Sequence, residues 1–258
     1  MSEEPAGLLR PLDRPPWLAP LVDNVHRVPD AYRRRVPPEV LSALTGAQSA
    51  ALGGRDAAVL VLFSGPPAEP QTGALPGLVP STADLLLTVR AGTLRHHAGQ
   101  AAFPGGAADP EDAGPVHTAL REAREETGLD PGRLTPLATL ERMFIPPSGF
   151  HVVPVLAYSP DPGPVTVVDH AETAIVARVP LRAFVNPANR LMVCRTAGEA
   201  RYAGPAFLLN EMLVWGFTGH VISAMLDVAG WAQPWDADNV RELDEAMELV
   251  GGDSEGRL

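Results

Sequence analysis

The stretch PVHTALREAREETG (residues 115–128) leaves its backbone little choice but a helix. Pro115 lacks only an N–H that a first helical turn would leave unpaired, so it can open one. Good helix formers follow without a breaker. Gly128 then takes the left-handed conformation that closes a helix, at little cost to a glycine. On that helix, residues three and four apart share a face. Glu122 therefore meets both Glu125 and Glu126, and Arg121 meets Glu125. The repulsion among these acids must be relieved by solvent, by cationic partners or by a metal, and the plainest reading is a solvated, ion-paired helix face.

The residues ahead of the helix sharpen this. FPGG (residues 103–106) places a double glycine where backbone can approach a phosphate or a metal closely. Carboxylate oxygens suit Mg²⁺ or Mn²⁺, which bridge to substrate phosphates. No Cys/His cluster has zinc spacing.

Strand-like runs occur at residues 57–64, 84–90, 100–103, 137–144, 151–158 and 173–179. Helices are expected at 211–228 and 238–249, with short helical turns at WLAPLVDNV and PEVLSALTG in the first fifty residues. There is no regular βαβ alternation, which favours a mixed sheet flanked by helices. With 45% hydrophobic residues among 258, the chain can bury a sizeable core. Its 24 glycines and 28 prolines make it loop-rich, short of the composition of a disordered chain.

The net charge of −11 argues against a nucleic-acid partner, and an anionic substrate would need local arginines or bound cations. Cys194 is the single cysteine, so no intrachain disulfide forms, and a reducing, cytoplasmic compartment is expected. The N-terminus lacks an apolar signal core, and the apolar run 212–226 is too short to span a membrane. The proline-rich ends and the apolar C-terminal helix offer surfaces for a homodimer.

"GG…LREAREETGL" resembles the Nudix box, whose helical half reads Arg-Glu, apolar, any, Glu-Glu, any, Gly, apolar. Arg121, Glu122, Ala123, Glu125, Glu126, Gly128 and Leu129 match it position by position. The loop half departs: six residues on from Gly106 stands Asp112 in place of glutamate, and eight residues separate it from Arg121, not seven. Upstream, LLTVRAGTLRHHAGQAAFPGG (residues 86–106) is similar to the additional signature of coenzyme A pyrophosphatase-like Nudix proteins. That signature is Leu-Leu-Thr-x-Arg-Ser, then Arg, Gly and Phe-Pro-Gly-Gly at three-residue intervals. Every spacing agrees, with Ala91 in place of serine. IPPSGFHVVPVLAY (145–158) and AFLLNEMLVWGFTGHVISAML (206–226) also look like this group, particularly its actinobacterial-type members.

The resemblance implies an α/β fold, a Nudix-type α/β/α sandwich with a mixed central β-sheet. It places a Nudix domain over residues 51–235, between a Pro/Arg-rich extension (1–50) and a C-terminal helix with an acidic tail (236–258). It implies a pyrophosphohydrolase using Mg²⁺ or Mn²⁺ on coenzyme A or acyl-coenzyme A, releasing 4′-phosphopantetheine or its acyl form and 3′,5′-ADP. Arg121, Glu122, Glu125 and Glu126 would form the catalytic group. Glu122 and Glu126 would be the main metal ligands, supported by Glu125 and the Gly105 carbonyl, with Arg121 orienting a glutamate. The general base stays open among Glu125, Glu126 and the loop acid Glu172. Arg90, Arg95 and His97 would contact the 3′-phosphate and diphosphate of coenzyme A, or else fix the loop before FPGG, and Gly105 and Gly106 would also meet substrate. His96 and His117 are read as bystanders, Ser148 and Gly149 as a turn near the site, and Trp215 as core. Two other readings remain: a Nudix hydrolase of ADP-ribose or a dinucleotide, and a Nudix module that senses nucleotide without cleaving it.

Overall fold

The computed structural model describes residues 7–10, 13–36, 54–67, 79–91, 99–145, 148–197, 200–210 and 212–251. In chain order the elements begin with β1 (Gly7–Leu8), the short helices α1 (Ala19–Val22) and α2 (Val28–Arg33), β2 (Arg55–Ser64) and β3 (Asp84–Arg90). Next come β4 (Ala101–Ala102), β5 (Gly105–Ala107), the helix α3 (Pro115–Thr127), β6 (Thr135–Thr139) and β7 (Met143–Ile145). β8 (Phe150–Ser159), β9 (Thr173–Pro180), α4 (Leu181–Val185), β10 (Arg190–Ala197) and β11 (Ala200–Leu209) follow. The described chain ends with β12 (Met212–Val214), α5 (Gly216–Val228), β13 (Val240–Glu242) and α6 (Leu243–Gly251).

Among the described residues, nine strands make one mixed sheet with the order β1-β6-β8-β2-β3-β4, to which β5, β7 and β9 add on β2, β8 and β3. Its centre is the parallel pair β2–β8, in register from Arg55 opposite Phe150 to Ser64 opposite Ser159. Strand side chains alternate faces, and β2 shows why this sheet must be covered twice. Ala58, Leu60 and Leu62 pack with Ala119 and Ala123 of α3, whereas Val61 and Phe63 face a second, larger core. That larger core includes Trp17 and Leu21 from the N-terminal segment and Val221, Ile222 and Met225 from α5. The mixed sheet between helical layers is the α/β architecture expected of the sequence.

Helix α3 runs from Pro115 to Thr127, with Gly128 at φ +69°, so both ends lie where the sequence places them. The run 137–144, read as one strand, is two. Between the paired residues Thr139↔Val155 and Met143↔Val152 the chain advances four positions against three on β8, and the surplus residue breaks the ladder. The expected helix over 211–228 begins only at Gly216, because Met212–Val214 pairs with β11 and Gly216 turns the chain at φ +61°. The expected helix over 238–249 is likewise preceded by a strand, β13, which runs parallel to β10.

The β10–β11 hairpin, in register from Arg190 opposite Phe207 to Ala197 opposite Ala200, was not among the expected strands. With β12 and β13 it forms a second sheet in the order β12-β11-β10-β13. One side of that sheet joins the main core through Phe207 and Val214, and Leu191, Val193 and Leu213 on the other side pack with Ala246 of α6. The segment PEVLSALTG lies outside the described residues. No helix among the described residues is long and apolar enough to cross a membrane.

Candidate active site

The site begins at the double glycine. Leu60 N–H bonds to the Pro104 carbonyl and Ala108 N–H to the Asp56 carbonyl, so Gly105 and Ala107 fall at positions that the β2–β5 ladder does not use. Their N–H and C=O groups therefore point away from β2, toward α3. Gly105 N–H donates to Glu126 Oε2 at 3.2 Å, and the Ala107 carbonyl accepts from Arg121 Nη2 at 2.9 Å. A side chain at Gly105 would meet backbone, and one at Gly106 would have to displace an acid of the helix. A Cβ on Gly105 would collide with the Ala58 carbonyl and the Val59 Cα, and one on Gly106 with the carboxylate of Glu122. The two glycines thus bring backbone within reach of two acids of the helix.

Arg121 organises the rest. Its guanidinium donates to Asp112 through Nε at 3.1 Å and Nη2 at 2.8 Å, to Glu122 Oε1 at 2.9 Å and to Glu125 Oε2 at 3.3 Å. Asp112, whose side chain is 2% exposed, also accepts from the Thr118 hydroxyl and the Asp109 N–H, each at 2.9 Å. His117 Nδ1 lies 2.8 Å from it, so this histidine is more than a bystander of the first turn. Hydrogen bonds, first that from Arg121, hold the Asp112 carboxyl well below the usual carboxylate range, and the same bond raises the Arg121 guanidinium. Asp112 is thereby spent on Arg121.

The three glutamates are not equivalent. The Glu125 side chain is 58% exposed and meets Arg121 at the helix surface. Burial raises the Glu122 carboxyl, and Arg121 opposes that rise. Burial pushes Glu126 up to about 7; the Gly105 N–H and Arg90 oppose this, while the charges of Glu122 and Glu172 add to it. Glu172 is exposed, and its backbone carbonyl accepts from Ala91 N–H at 2.8 Å, which holds its loop beside β3.

No group of three His, Cys, Asp or Glu side chains among the described residues is gathered as a ready cation cage. What the fold brings together is narrower: Glu122 against Gly106, Glu126 on Gly105, and a Gly105 carbonyl that the ladder leaves unspent. Two partly buried carboxylates whose charges repel, beside such an oxygen, fit a hard divalent cation. Cys194, buried and a free thiol, takes no part.

Glu126, Gly105 and Gly106 stand at the edge of a cavity of about 680 Å³ between the two sheets. Arg90 and Ser148 line it too, and Gly149, at φ +68°, turns the chain beside Ser148. Trp215, read as core, does pack against the cluster of Leu191, Val193 and Leu213, and it also lines the cavity, at the joint between the strand that ends at Val214 and helix α5. Arg95, His96 and His97 lie outside the described residues. Sequence reasoning did not find Arg55, Phe144, Phe150, Arg195 or Tyr202, which also line the cavity. Phe150 falls in the segment 145–158 that resembles the family, whereas the other four lie outside the motifs, and only the pairing of the strands brings them here.

Residues 73–193 match the family model of the NUDIX domain. The Nudix hydrolase NudL of Photorhabdus laumondii is 37% identical over 140 residues, 54% of this chain and 73% of that protein. NudL of Yersinia enterocolitica is 33% identical over 141 residues, 54% of this chain and 70% of that protein. Among solved structures, a C. elegans Ap4A hydrolase binary complex aligns with a TM-score of 0.36 at 24% identity, covering 50% of this chain and 81% of that one.

Proposed function

The chain belongs to the Nudix hydrolases, enzymes of nucleoside diphosphate derivatives, and from that premise we propose that it hydrolyses the diphosphate of coenzyme A or its acyl derivatives. The observation that carries this reading is that Thr88, Arg90, Phe103, Gly105 and Gly106 of the upstream signature line one cavity with Glu126. The signature (86–106) and the acidic helix (Pro115–Thr127) are joined by a loop of eight residues, and the fold turns Glu126 back onto the space that the signature lines.

Glu122 and Glu126, with the Gly105 carbonyl and with Glu125 at the rim, would hold Mg²⁺ or Mn²⁺. The cation, when bound, neutralises diphosphate charge and lowers the pKa of a bound water. The chain's own residues prepare for this. Gly105 N–H fixes one oxygen of Glu126, and Arg121, anchored on Asp112, fixes Glu122. Arg90, close enough to oppose the rise of the Glu126 pKa and lining the same cavity, would offer a guanidinium to the diphosphate.

Product analysis with Mg²⁺ or Mn²⁺ and a panel of coenzyme A, acetyl-coenzyme A, ADP-ribose, NADH and 8-oxo-dGTP tests the reading. Release of 3′,5′-ADP from the two coenzyme A compounds, well above the other rates, is expected. Cleavage elsewhere with silence on these two would overturn the substrate. Glu126→Gln is expected to lower turnover about a thousandfold; an unchanged rate would remove Glu126 from the catalytic group.

A further inference from the structure

The cavity is cationic inside an acidic protein. Among the described residues its walls carry three arginines, Arg55, Arg90 and Arg195, against one acid, Glu126. Arg90 belongs to the diphosphate end, beside Glu126. Arg55 is exposed and stacks on Phe150, its guanidinium carbon 4.5 Å from the ring centroid, so water solvates its remaining edges. Arg195 is different: it is half-buried on the wall formed by the second sheet, beyond the segment that matches the family model.

Two rings flank its guanidinium. Tyr202, directly opposite on β11, has its centroid 5.4 Å away, and that of Trp215 lies 5.8 Å away. Stacking on rings engages the faces of a guanidinium and leaves the N–H edges unspent. No carboxylate among the described residues pairs with those edges, although Arg14, Arg33, Arg121, Arg133, Arg142 and Arg201 elsewhere all have acidic partners. A half-buried cation loses hydration and normally regains it from an anion. Here the residue lines the cavity.

We propose that Arg195 is a specificity residue, binding a phosphomonoester on the nucleotide arm of the substrate, remote from the diphosphate. This rests on the reading of the substrate as a nucleotide-bearing diphosphate. The planar fork matches phosphate oxygens as a pair of parallel hydrogen bonds, and the two rings fix its plane before the ligand arrives. In coenzyme A the 3′-phosphate is such a group; ADP-ribose and NADH have none.

The test is calorimetric titration of 3′,5′-ADP and of 5′-AMP into the full chain, wild type and Arg195→Met, alongside kcat/KM for coenzyme A and 3′-dephospho-coenzyme A. The wild type is expected to bind 3′,5′-ADP about 10- to 100-fold more tightly than AMP, the value of a charge-assisted hydrogen-bonded pair. Arg195→Met is expected to shrink that preference to about threefold or less, together with the kcat/KM ratio of the two coenzymes. Equal binding of the two nucleotides by the wild type overturns the proposal, as does a preference that survives the substitution. Equal weakening of both nucleotides would make Arg195 a stacking surface and overturn it too. Should Arg195→Met fail to fold by circular dichroism, Arg195→Lys carries the test, since a point charge lacks the fork and is expected to lose most of the preference. If coenzyme A is cleaved but the ratio does not move, only this inference falls. If coenzyme A is not cleaved while the nucleotide preference depends on Arg195, the coenzyme A reading falls and the anion site stands.

Discussion

Asp112 is the residue at which this chain departs from the Nudix pattern, and its position shows what the departure preserves. A shorter acid with one more residue before Arg121 still delivers two oxygens to the guanidinium. Asp112→Asn keeps the shape and removes the charge, so Arg121 is held less firmly. If Glu122 holds the cation as proposed, activity is expected to fall about 10- to 100-fold, the range for partners that orient metal ligands, with partial recovery in Asp112→Glu; Mg²⁺-dependent kinetics checks both. Glu126 carries a second prediction. Its carboxyl titrates near 4.5 when free and at about 7 in the fold, so between these values the folded state holds an extra proton. The stability this group contributes is therefore present below about 4.5 and is lost as pH rises through about 7. A cation held by Glu126 would take its ionised form, so added Mg²⁺ is expected to raise the melting temperature more at about pH 8 than at about pH 6. An equal rise at both would separate Glu126 from the cation.

At the level of elements, β5 and α3 act as one device. The ladder fixes which groups of Gly105 and Ala107 face the helix, and the helix repeat fixes which acids come to meet them. The face shared by Arg121, Glu122, Glu125 and Glu126 is legible in the spacing alone. That Glu125 would stay at the surface while Glu122 and Glu126 turn inward is not, since it depends on where the glycine strand lies. Gly106→Ala probes this joint. Its Cβ would displace the Glu122 carboxylate without touching the helix ends. Mg²⁺ affinity is expected to fall about 10- to 100-fold, while helix content by circular dichroism is unchanged. Unchanged affinity would place Glu122 outside the cation site.

Across the whole molecule, the cavity exists because segments remote in sequence close it from both sides. The N-terminal segment is part of that closure. Trp17 is fully buried, donates to the Pro66 carbonyl at 2.9 Å and meets Phe63, Tyr158 and Trp231 at centroid distances of 6.5, 6.3 and 6.1 Å. It joins β2, β8 and the residues after α5 in one core, where Tyr32 of α2 also reaches Phe217. Trp17→Ala is expected to destabilise the protein by about 3–5 kcal/mol in denaturant unfolding, a large share of any domain's stability. A loss below about 1 kcal/mol would mean that the N-terminal segment is dispensable to the core.

The sequence by itself determined the ends of helix α3, the acidic face, the double glycine and the main strands, because these follow from local chemistry: proline and glycine conformations, a helical repeat and runs of apolar residues. It also carried the motifs that mark a Nudix chain. Only the tertiary structure decided what faces what. The Met212–Val214 strand, the β10–β11 hairpin and the break between β6 and β7 are set by pairing across the chain, which outweighs local preference. Trp215 and Arg195 belong to a cavity wall for the same reason. Whether a side chain lines a space or fills a core depends on the surface brought opposite it, and that surface comes from elsewhere in the chain.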